Sequence, residues 1–210
     1  MTAPRPRAVL FDFGGVIWNM RWDVCEALEA EHGLARGSVF TTLYRTETWA
    51  AVERGRGDRE AWLAEAHAAL ERLAGRALPP LHAAWRAAQE PIRETVALIR
   101  ALRPAYRLGV LSNADATLRA RLTDVVKIAD AFDDIVCSAE VGVAKPEPEI
   151  YALACARIGL APAACVFVDD NEPNVSAAGA LGLTAVHYRV DRGDDLAAQL
   201  AAAGVRAPRP

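Results

Sequence analysis

Five short runs of apolar, β-prone residues, each followed closely by a polar residue or a glycine, place the strongest constraint on how this chain folds. The first run, AVLFDF from Ala8 to Phe13, ends on Asp12 and Phe13 and is followed by two glycines. Such runs are typical of strands buried on both faces of a parallel sheet. The other four are Arg107 to Leu111, Asp134 to Cys137, Cys165 to Val168 and Leu183 to His187. We therefore predict five strands.

Helical patterns separate the strands in the second half of the chain. Three of the four patterns stop at a glycine, which commonly follows the last residue of a helix. Strands that alternate with helices of this length form right-handed βαβ units, so the fold class is α/β, a doubly wound parallel sheet with a Rossmann-like core. The four helical patterns cover residues 116–126, 148–158, 173–181 and 194–203.

Residues 18–90 interrupt this alternation. The segment shows no convincing strand, and its Ala, Leu and Trp residues recur at helical spacing, as in Trp62, Ala66 and Leu70. We therefore predict a helical domain over 18–90, inserted after the first strand into a core made of residues 1–17 and 91–210.

The charge of the chain limits its partners. It has 24 Lys and Arg against 27 Asp and Glu, a net charge of −3, and no long run of like charge. A protein that binds nucleic acid or an anionic membrane normally carries a basic patch. No apolar run is long enough to span a bilayer, and the first residues do not form a signal peptide. We expect a cytoplasmic protein with neither nucleic-acid nor membrane partners, and either a monomer or a homodimer.

Polar residues collect where the predicted strands end. Ligands of open α/β sheets bind beyond the carboxyl ends of the strands, so these side chains should meet at one edge. Three clustered carboxylates repel one another unless a cation neutralises them, and oxygen donors without His or Cys favour Mg²⁺ over zinc. The residues concerned are Asp12 with Gly14 and Gly15, Ser112 with Asn113, Asp169 with Asp170, and Lys145 in a loop after the third strand.

Four ordered motifs at these positions resemble those of the haloacid dehalogenase-like hydrolases. They read FDFGGV, VLSNAD, GVAKPEPEIY and VFVDDNEPNVSAAGALG, and together they span nearly the whole chain. A single short string of this kind carries little weight, whereas four in order at predicted strand ends are a strong signal. The resemblance implies that the helical insertion is a cap of the C1 type and that the first motif is of the DxGxV kind.

The resemblance also implies residue roles and an activity. Asp12 would be the nucleophile, with Mg²⁺ held by Asp12, the Gly14 carbonyl and Asp170, and with Asp169 as a further or water-mediated ligand. Lys145 would neutralise the charge of the phosphoryl group. The Ser112 hydroxyl and the Asn113 backbone N–H would donate hydrogen bonds to its oxygens, and Gly15 and Trp18 would line the substrate pocket. The activity implied is that of a phosphatase for a small phosphorylated metabolite, such as a sugar phosphate.

Gly14 departs from the pattern of these phosphatases, which usually carry a second aspartate there as general acid and base. Such catalysis typically contributes about 10²- to 10⁴-fold in rate. The family's dehalogenases also lack that aspartate, so a 2-haloacid dehalogenase is one alternative. An impaired member that binds a phosphorylated ligand or a protein partner is another. Retention of Asp169 and Asp170 favours the phosphatase, because a carbon–halogen displacement needs no metal.

Overall fold

A five-stranded parallel sheet forms the centre of the protein. The computed structural model describes residues 5–208, so the ends of the predicted core, 1–4 and 209–210, lie outside the described residues. The strand order is β5-β4-β1-β6-β7, with every neighbouring pair parallel. This order is that of a doubly wound sheet, so the predicted fold class is confirmed. The strands are β1 (Ala8–Phe11), β4 (Arg107–Ser112), β5 (Asp134–Cys137), β6 (Cys165–Asp169) and β7 (Thr184–His187).

Two further strands, β2 (Trp18–Asn19) and β3 (Glu90–Pro91), pair antiparallel and tie together the two ends of the segment that departs from the sheet. The expectation that residues 18–90 contain no strand is therefore wrong at both ends. Each strand has only two residues, which is too short to show the alternation that marks a strand in a sequence.

The central sheet is covered on both faces. Val9 and Phe11 of β1 belong to one apolar cluster, and Ala8 and Leu10 belong to another on the opposite face. Because successive side chains of a strand point to opposite faces, this division requires helices on both sides. The helices are α6 (Arg93–Leu102), α7 (Leu118–Ala120, continued by a wider turn over Arg121–Val125), α8 (Ser138–Val141), α9 (Pro148–Arg157), α10 (Glu172–Ala180) and α11 (Leu196–Ala202).

Five helices fill the segment between β2 and β3, which we call the helical insertion (residues 22–88). Its apolar cluster includes Trp62, Leu70 and Trp85 and is separate from the two clusters of the sheet. The buried carboxylate of Glu29 accepts hydrogen bonds from the backbone N–H groups of Gly37 (2.8 Å) and Val39 (2.7 Å), at the start of the second helix. The helices are α1 (Trp22–Glu31), α2 (Ser38–Tyr44), α3 (Glu47–Val52), α4 (Arg59–Ala74) and α5 (Leu81–Ala88).

Ion pairs connect the helical insertion to loops at the carboxyl edge of the sheet. Arg54 pairs with Glu147, and Arg59 Nε lies 2.8 Å from Asp115 Oδ2. The insertion therefore sits over the edge where the predicted site residues gather. Among residues 5–208, no helix is both long enough and apolar enough to cross a membrane.

Candidate active site

Three carboxylates converge at the carboxyl edge of the sheet. Asp12 directly follows β1, Asp169 ends β6, and Asp170 comes next in the chain. The Asp12 backbone N–H donates to the Val168 carbonyl at 2.9 Å, which holds the end of β1 beside β6. Oxygens of the three carboxylates lie within 4.8 Å of one another. The predicted convergence of these residues is thus present in the structure.

Lys145 provides the cation of this cluster. Its Nζ lies 2.6 Å from Asp169 Oδ2 and 2.9 Å from Asp12 Oδ1, and its side chain is almost completely buried. Burial disfavours the charged ammonium, but the adjacent carboxylates outweigh that cost and raise the pKa of Lys145 above its ordinary value. Lys145 is therefore a fixed positive charge beside Asp12.

Two asparagine side chains hold this arrangement in place. Asn113 Nδ2 donates to the Lys145 carbonyl at 2.9 Å, and the Lys145 N–H donates to Asn113 Oδ1 at 2.8 Å. Asn174 Nδ2 lies 3.1 Å from Asp169 Oδ2, and the Asn171 N–H donates to Asp169 Oδ1 at 2.8 Å. Sequence reasoning missed the role of Asn174 and the side-chain role of Asn113. Only their places in the second and fourth motifs pointed to them.

The acidic cluster carries an unfavourable excess of negative charge. Burial raises the pKa of Asp12 to about 6, with Lys145 and the Ser112 hydroxyl opposing the shift and Asp169 adding to it. Burial, followed by repulsion from Asp12 and Asp169, raises the pKa of Asp170 to about 8. Three carboxylates face one ammonium, and all the donors are hard oxygens. This donor set fits a divalent cation such as Mg²⁺.

Gly15 allows Asp170 to approach the loop after β1. Its φ of +76° lies in the left-handed region, and a Cβ at this position would lie 2.1 Å from Asp170 Oδ2. A rotation of the Asp170 carboxylate alone would not relieve this clash, because Cγ and Cβ of Asp170 also lie within 3 Å of that position. Gly15 is therefore required by both the backbone conformation and the close approach of the acid.

We expect Gly15→Ala to lower turnover by about 100-fold, because displacing Asp170 by about an ångström misplaces a group that the site must hold in position. Gly33→Ala is the matched control: its φ is +72°, yet a Cβ there has no neighbour within 4 Å among residues 5–208. Both variants carry the same type of backbone strain, and only Gly15→Ala disturbs Asp170. Equal turnover in the two variants, measured with the melting temperature of each, would contradict this account.

At Gly14, where related phosphatases usually carry a second aspartate, the nearest side chain is that of Met20. Its φ lies outside the left-handed range, and a Cβ would make ordinary contact with Met20 Sδ at 3.5 Å. The backbone therefore tolerates other residues here, and the missing carboxylate is not imposed by the fold.

A cavity of about 350 Å³ opens beside the cluster; it is lined by Gly15 and Asp170, by Asn19 to Asp23 where the chain enters the helical insertion, and by Val190 and Asp191 after β7. Trp18, predicted to line the substrate pocket, does not line this cavity. It is buried, stacks on Phe13 with ring centroids 5.7 Å apart, and donates from Nε1 to Gln89 Oε1 at 2.9 Å. In the structure, Trp18 packs at the base of the insertion.

The fold and the acidic cluster define an α/β protein with a candidate metal site at the carboxyl edge of its parallel sheet. Residues 6–182 match the family model described as haloacid dehalogenase-like hydrolase. The chain therefore belongs to the haloacid dehalogenase-like hydrolases, and the resemblance seen in the four motifs is confirmed at this level.

The similar proteins include both phosphatases and dehalogenases. The chain is 28% identical to the sesquiterpene phosphatase astK of Aspergillus oryzae, over 86% of this chain and 89% of that protein. It is 28% identical to (S)-2-haloacid dehalogenase 1 of Pseudomonas sp., over 47% of this chain and 43% of that one.

A solved structure supports the fold. The family enzyme bt-2542 of Bacteroides thetaiotaomicron, in complex with magnesium and inorganic phosphate, superposes with a TM-score of 0.65 at 23% identity, covering 92% of this chain and 98% of that one.

Proposed function

We propose that this protein is a Mg²⁺-dependent phosphatase that acts on a small phosphorylated metabolite through a phosphoaspartyl intermediate on Asp12. The observation that carries the proposal is the position of the Asp12 carboxylate, 2.9 Å from the buried Lys145 ammonium and within the three-carboxylate cluster. A carboxylate that attacks a phosphate ester must overcome repulsion between two anions, and this site holds positive charge at that point.

The proposal assigns the first step to four residues. Asp12 attacks phosphorus, the bond from phosphorus to the leaving oxygen breaks, and the leaving alcohol takes a proton from water, since Gly14 offers none. Lys145 neutralises the phosphoryl oxygens as a point charge, while the Ser112 hydroxyl and the Asn113 backbone N–H donate hydrogen bonds to them. Water then attacks phosphorus and frees Asp12.

Asp12, the Gly14 carbonyl and Asp170 would hold Mg²⁺, which supplies Lewis-acid neutralisation of the phosphoryl oxygens when bound. Asp169 differs from these ligands because both of its oxygens already accept N–H donors from Lys145, Asn171 and Asn174. We therefore assign Asp169 to positioning Lys145 rather than to direct ligation. The helical insertion would serve as the C1-type cap over residues 1–17 and 91–210, with β2 and β3 as its two connections.

Phosphate release from a panel of sugar phosphates, nucleotides, acyl phosphates and p-nitrophenyl phosphate tests the proposal. We expect turnover with Mg²⁺ and its loss in EDTA, restored by added Mg²⁺, because three carboxylates and one ammonium leave the phosphoryl group without sufficient positive charge. Turnover that survives EDTA unchanged would rule out the metal-dependent mechanism. Absence of phosphate release across the panel would rule out the phosphatase.

A second candidate, hydrolysis of 2-haloacids, is favoured by Gly14 and by the named dehalogenase relative. The two reactions leave different isotope marks. In a dehalogenation, water attacks the carboxyl carbon of the Asp12 ester, so solvent oxygen enters Asp12. In a phosphatase, water attacks phosphorus, and Asp12 keeps its own oxygens. After turnover in H₂¹⁸O, we expect an unlabelled peptide containing Asp12 and labelled phosphate. A labelled peptide with halide release would establish the dehalogenase instead.

A further inference from the structure

One arginine next to the site has an unusual environment. Arg121, on the wider turn after α7, is half-buried, and its guanidinium carbon lies 4.5 Å from the centroid of the Phe13 ring and 4.9 Å from that of the Trp18 ring. Phe13 follows Asp12 directly. The two stacked rings thus form a platform that holds a guanidinium close to the nucleophile loop.

Arg121 has no carboxylate partner in the part of the chain that the structure describes. Within residues 5–208, its side chain makes neither an ion pair nor a hydrogen bond, although the carboxylate of Asp115 is a close charged neighbour. That carboxylate is already engaged by Arg59 Nε at 2.8 Å and by the hydroxyl and backbone N–H of Thr117. A partly buried arginine that leaves its five donors unused is uncommon.

A second arginine adds to the unpaired positive charge of Arg121. Arg86 of α5 is half-buried, and in the described part of the chain its guanidinium also lacks an ion pair and a hydrogen bond. Burial and then repulsion from Arg86 lower the pKa of Arg121 to about 10, so it remains protonated at neutral pH. The arginines therefore exceed the carboxylates where the helical insertion meets the loop after β4.

This excess charge lies between the two parts of the protein that would enclose a substrate. Arg121 and Asp115 belong to the segment that begins with Ser112 at the end of β4, whereas Arg86 and the neighbouring Tyr44 belong to the helical insertion. An anion held here would contact both the sheet and the insertion. The phosphoryl group itself is accounted for at Lys145 and Ser112, so this position is left for another part of the substrate.

We propose that Arg121, with Arg86, forms a second anion subsite that binds an oxyanion on the leaving-group part of the substrate, either a carboxylate or a second phosphate. The inference rests on the proposed phosphatase activity and narrows its substrate class to phosphate esters whose alcohol portion carries negative charge. The guanidinium packs against Phe13 and Trp18, and the planar fork of its N–H groups matches the two oxygens of such a group.

A set of esters with the same ring tests the subsite. 4-Carboxyphenyl phosphate and phenylene-1,4-bisphosphate carry the second anion, while 4-carbamoylphenyl phosphate has the shape of the first without its charge. We expect the wild type to prefer the charged esters by about tenfold or more in kcat/KM, mostly through KM, as for a charge-assisted hydrogen bond that is partly desolvated. A preference for only one charged ester identifies that group as the ligand.

Variants separate charge recognition from packing. Arg121→Gln is expected to reduce the preference to about one and to leave the carbamoyl ester nearly unchanged, whereas Arg121→Lys retains part of the preference. Arg100→Gln is the control with the same change in net charge, since Arg100 lies on α6 and is paired with Asp130 and the Lys127 carbonyl. An equal loss for charged and neutral esters, or a preference that persists in Arg121→Gln, would overturn the subsite.

Failure of the proposed function is distinguishable from failure of the subsite. If the wild type releases no phosphate from the three esters and none from the panel described above, the phosphatase proposal fails. The subsite is then judged by calorimetric dissociation constants for the same esters with wild type and Arg121→Gln. A preference for charged over carbamoyl ester that depends on Arg121 supports the subsite, and equal affinities refute it.

Discussion

Asp12→Asn is expected to abolish turnover, with kcat falling by at least about 10⁴-fold. The amide is nearly isosteric with the carboxylate, but its oxygen is a poor nucleophile and cannot form the covalent intermediate. Loss of a covalent nucleophile in a hydrolase costs about 10⁶-fold when it acts within a preorganised site. Phosphate release under saturating substrate and Mg²⁺ measures the effect.

The Asp12→Asn variant needs a demonstration that it is folded. The substitution removes the Asp12 ion pair with Lys145, whose Nζ retains its 2.6 Å contact with Asp169. We therefore expect a native circular dichroism spectrum and a cooperative melting transition. Asp134→Asn serves as a control of the same chemical change at the opposite, amino-terminal end of β5. Substantial turnover by a folded Asp12→Asn protein would place the nucleophile elsewhere.

Gly14→Asp is expected to increase activity on esters with poor leaving groups by about 10²- to 10³-fold. The backbone at Gly14 accepts a side chain, and among the described residues the new Cβ would meet the Met20 side chain, with Sδ at an ordinary contact distance of 3.5 Å. The carboxyl group would supply the general acid and base that the wild type lacks, a contribution of about 10² to 10⁴ in many enzymes. The gain should be small for p-nitrophenyl phosphate, whose leaving group needs no proton.

Gly14→Asn separates acid–base catalysis from a change of packing. It fills the same space without a proton donor, so its activity should stay near that of the wild type. A plot of log kcat against leaving-group pKa, measured for a series of phosphate esters, should have a shallower slope for Gly14→Asp than for the wild type or Gly14→Asn. An equal gain from Asn and Asp, or no gain from Asp, would show that proton transfer does not limit turnover here.

The sheet and the gathering of polar residues at its carboxyl edge were predictable because local signals and topology agree. Each strand is a short apolar run, and parallel strands must bring their carboxyl ends to one edge, so Asp12, Ser112 and Asp169 had to meet there. The position of Lys145 followed from its place in the third motif. For these residues, the place along the chain largely determines which side chains lie close together at the carboxyl edge.

Other features depend on contacts that no local pattern encodes. The two-residue strands β2 and β3 pair across the whole insertion, and the Trp18 and Gln89 side chains that hydrogen-bond beside them are 71 positions apart along the chain. The saturation of Asp169 by Asn171, Asn174 and Lys145 depends on side-chain orientations. Trp18 illustrates the same limit: it follows the Asp12 loop closely along the chain, but its stacking on Phe13 was not predictable from spacing.

The separate apolar cluster of the helical insertion has an evolutionary consequence. Substitutions among its core residues, such as Trp62 or Leu70, change packing within the insertion and leave the two clusters of the sheet intact. Under the proposed function, residues of the insertion that select the substrate can therefore diverge while Asp12, Lys145, Asp169 and Asp170 keep their spacing. A family built in this way can acquire new substrates by altering one lobe, with the reaction centre inherited unchanged in the other.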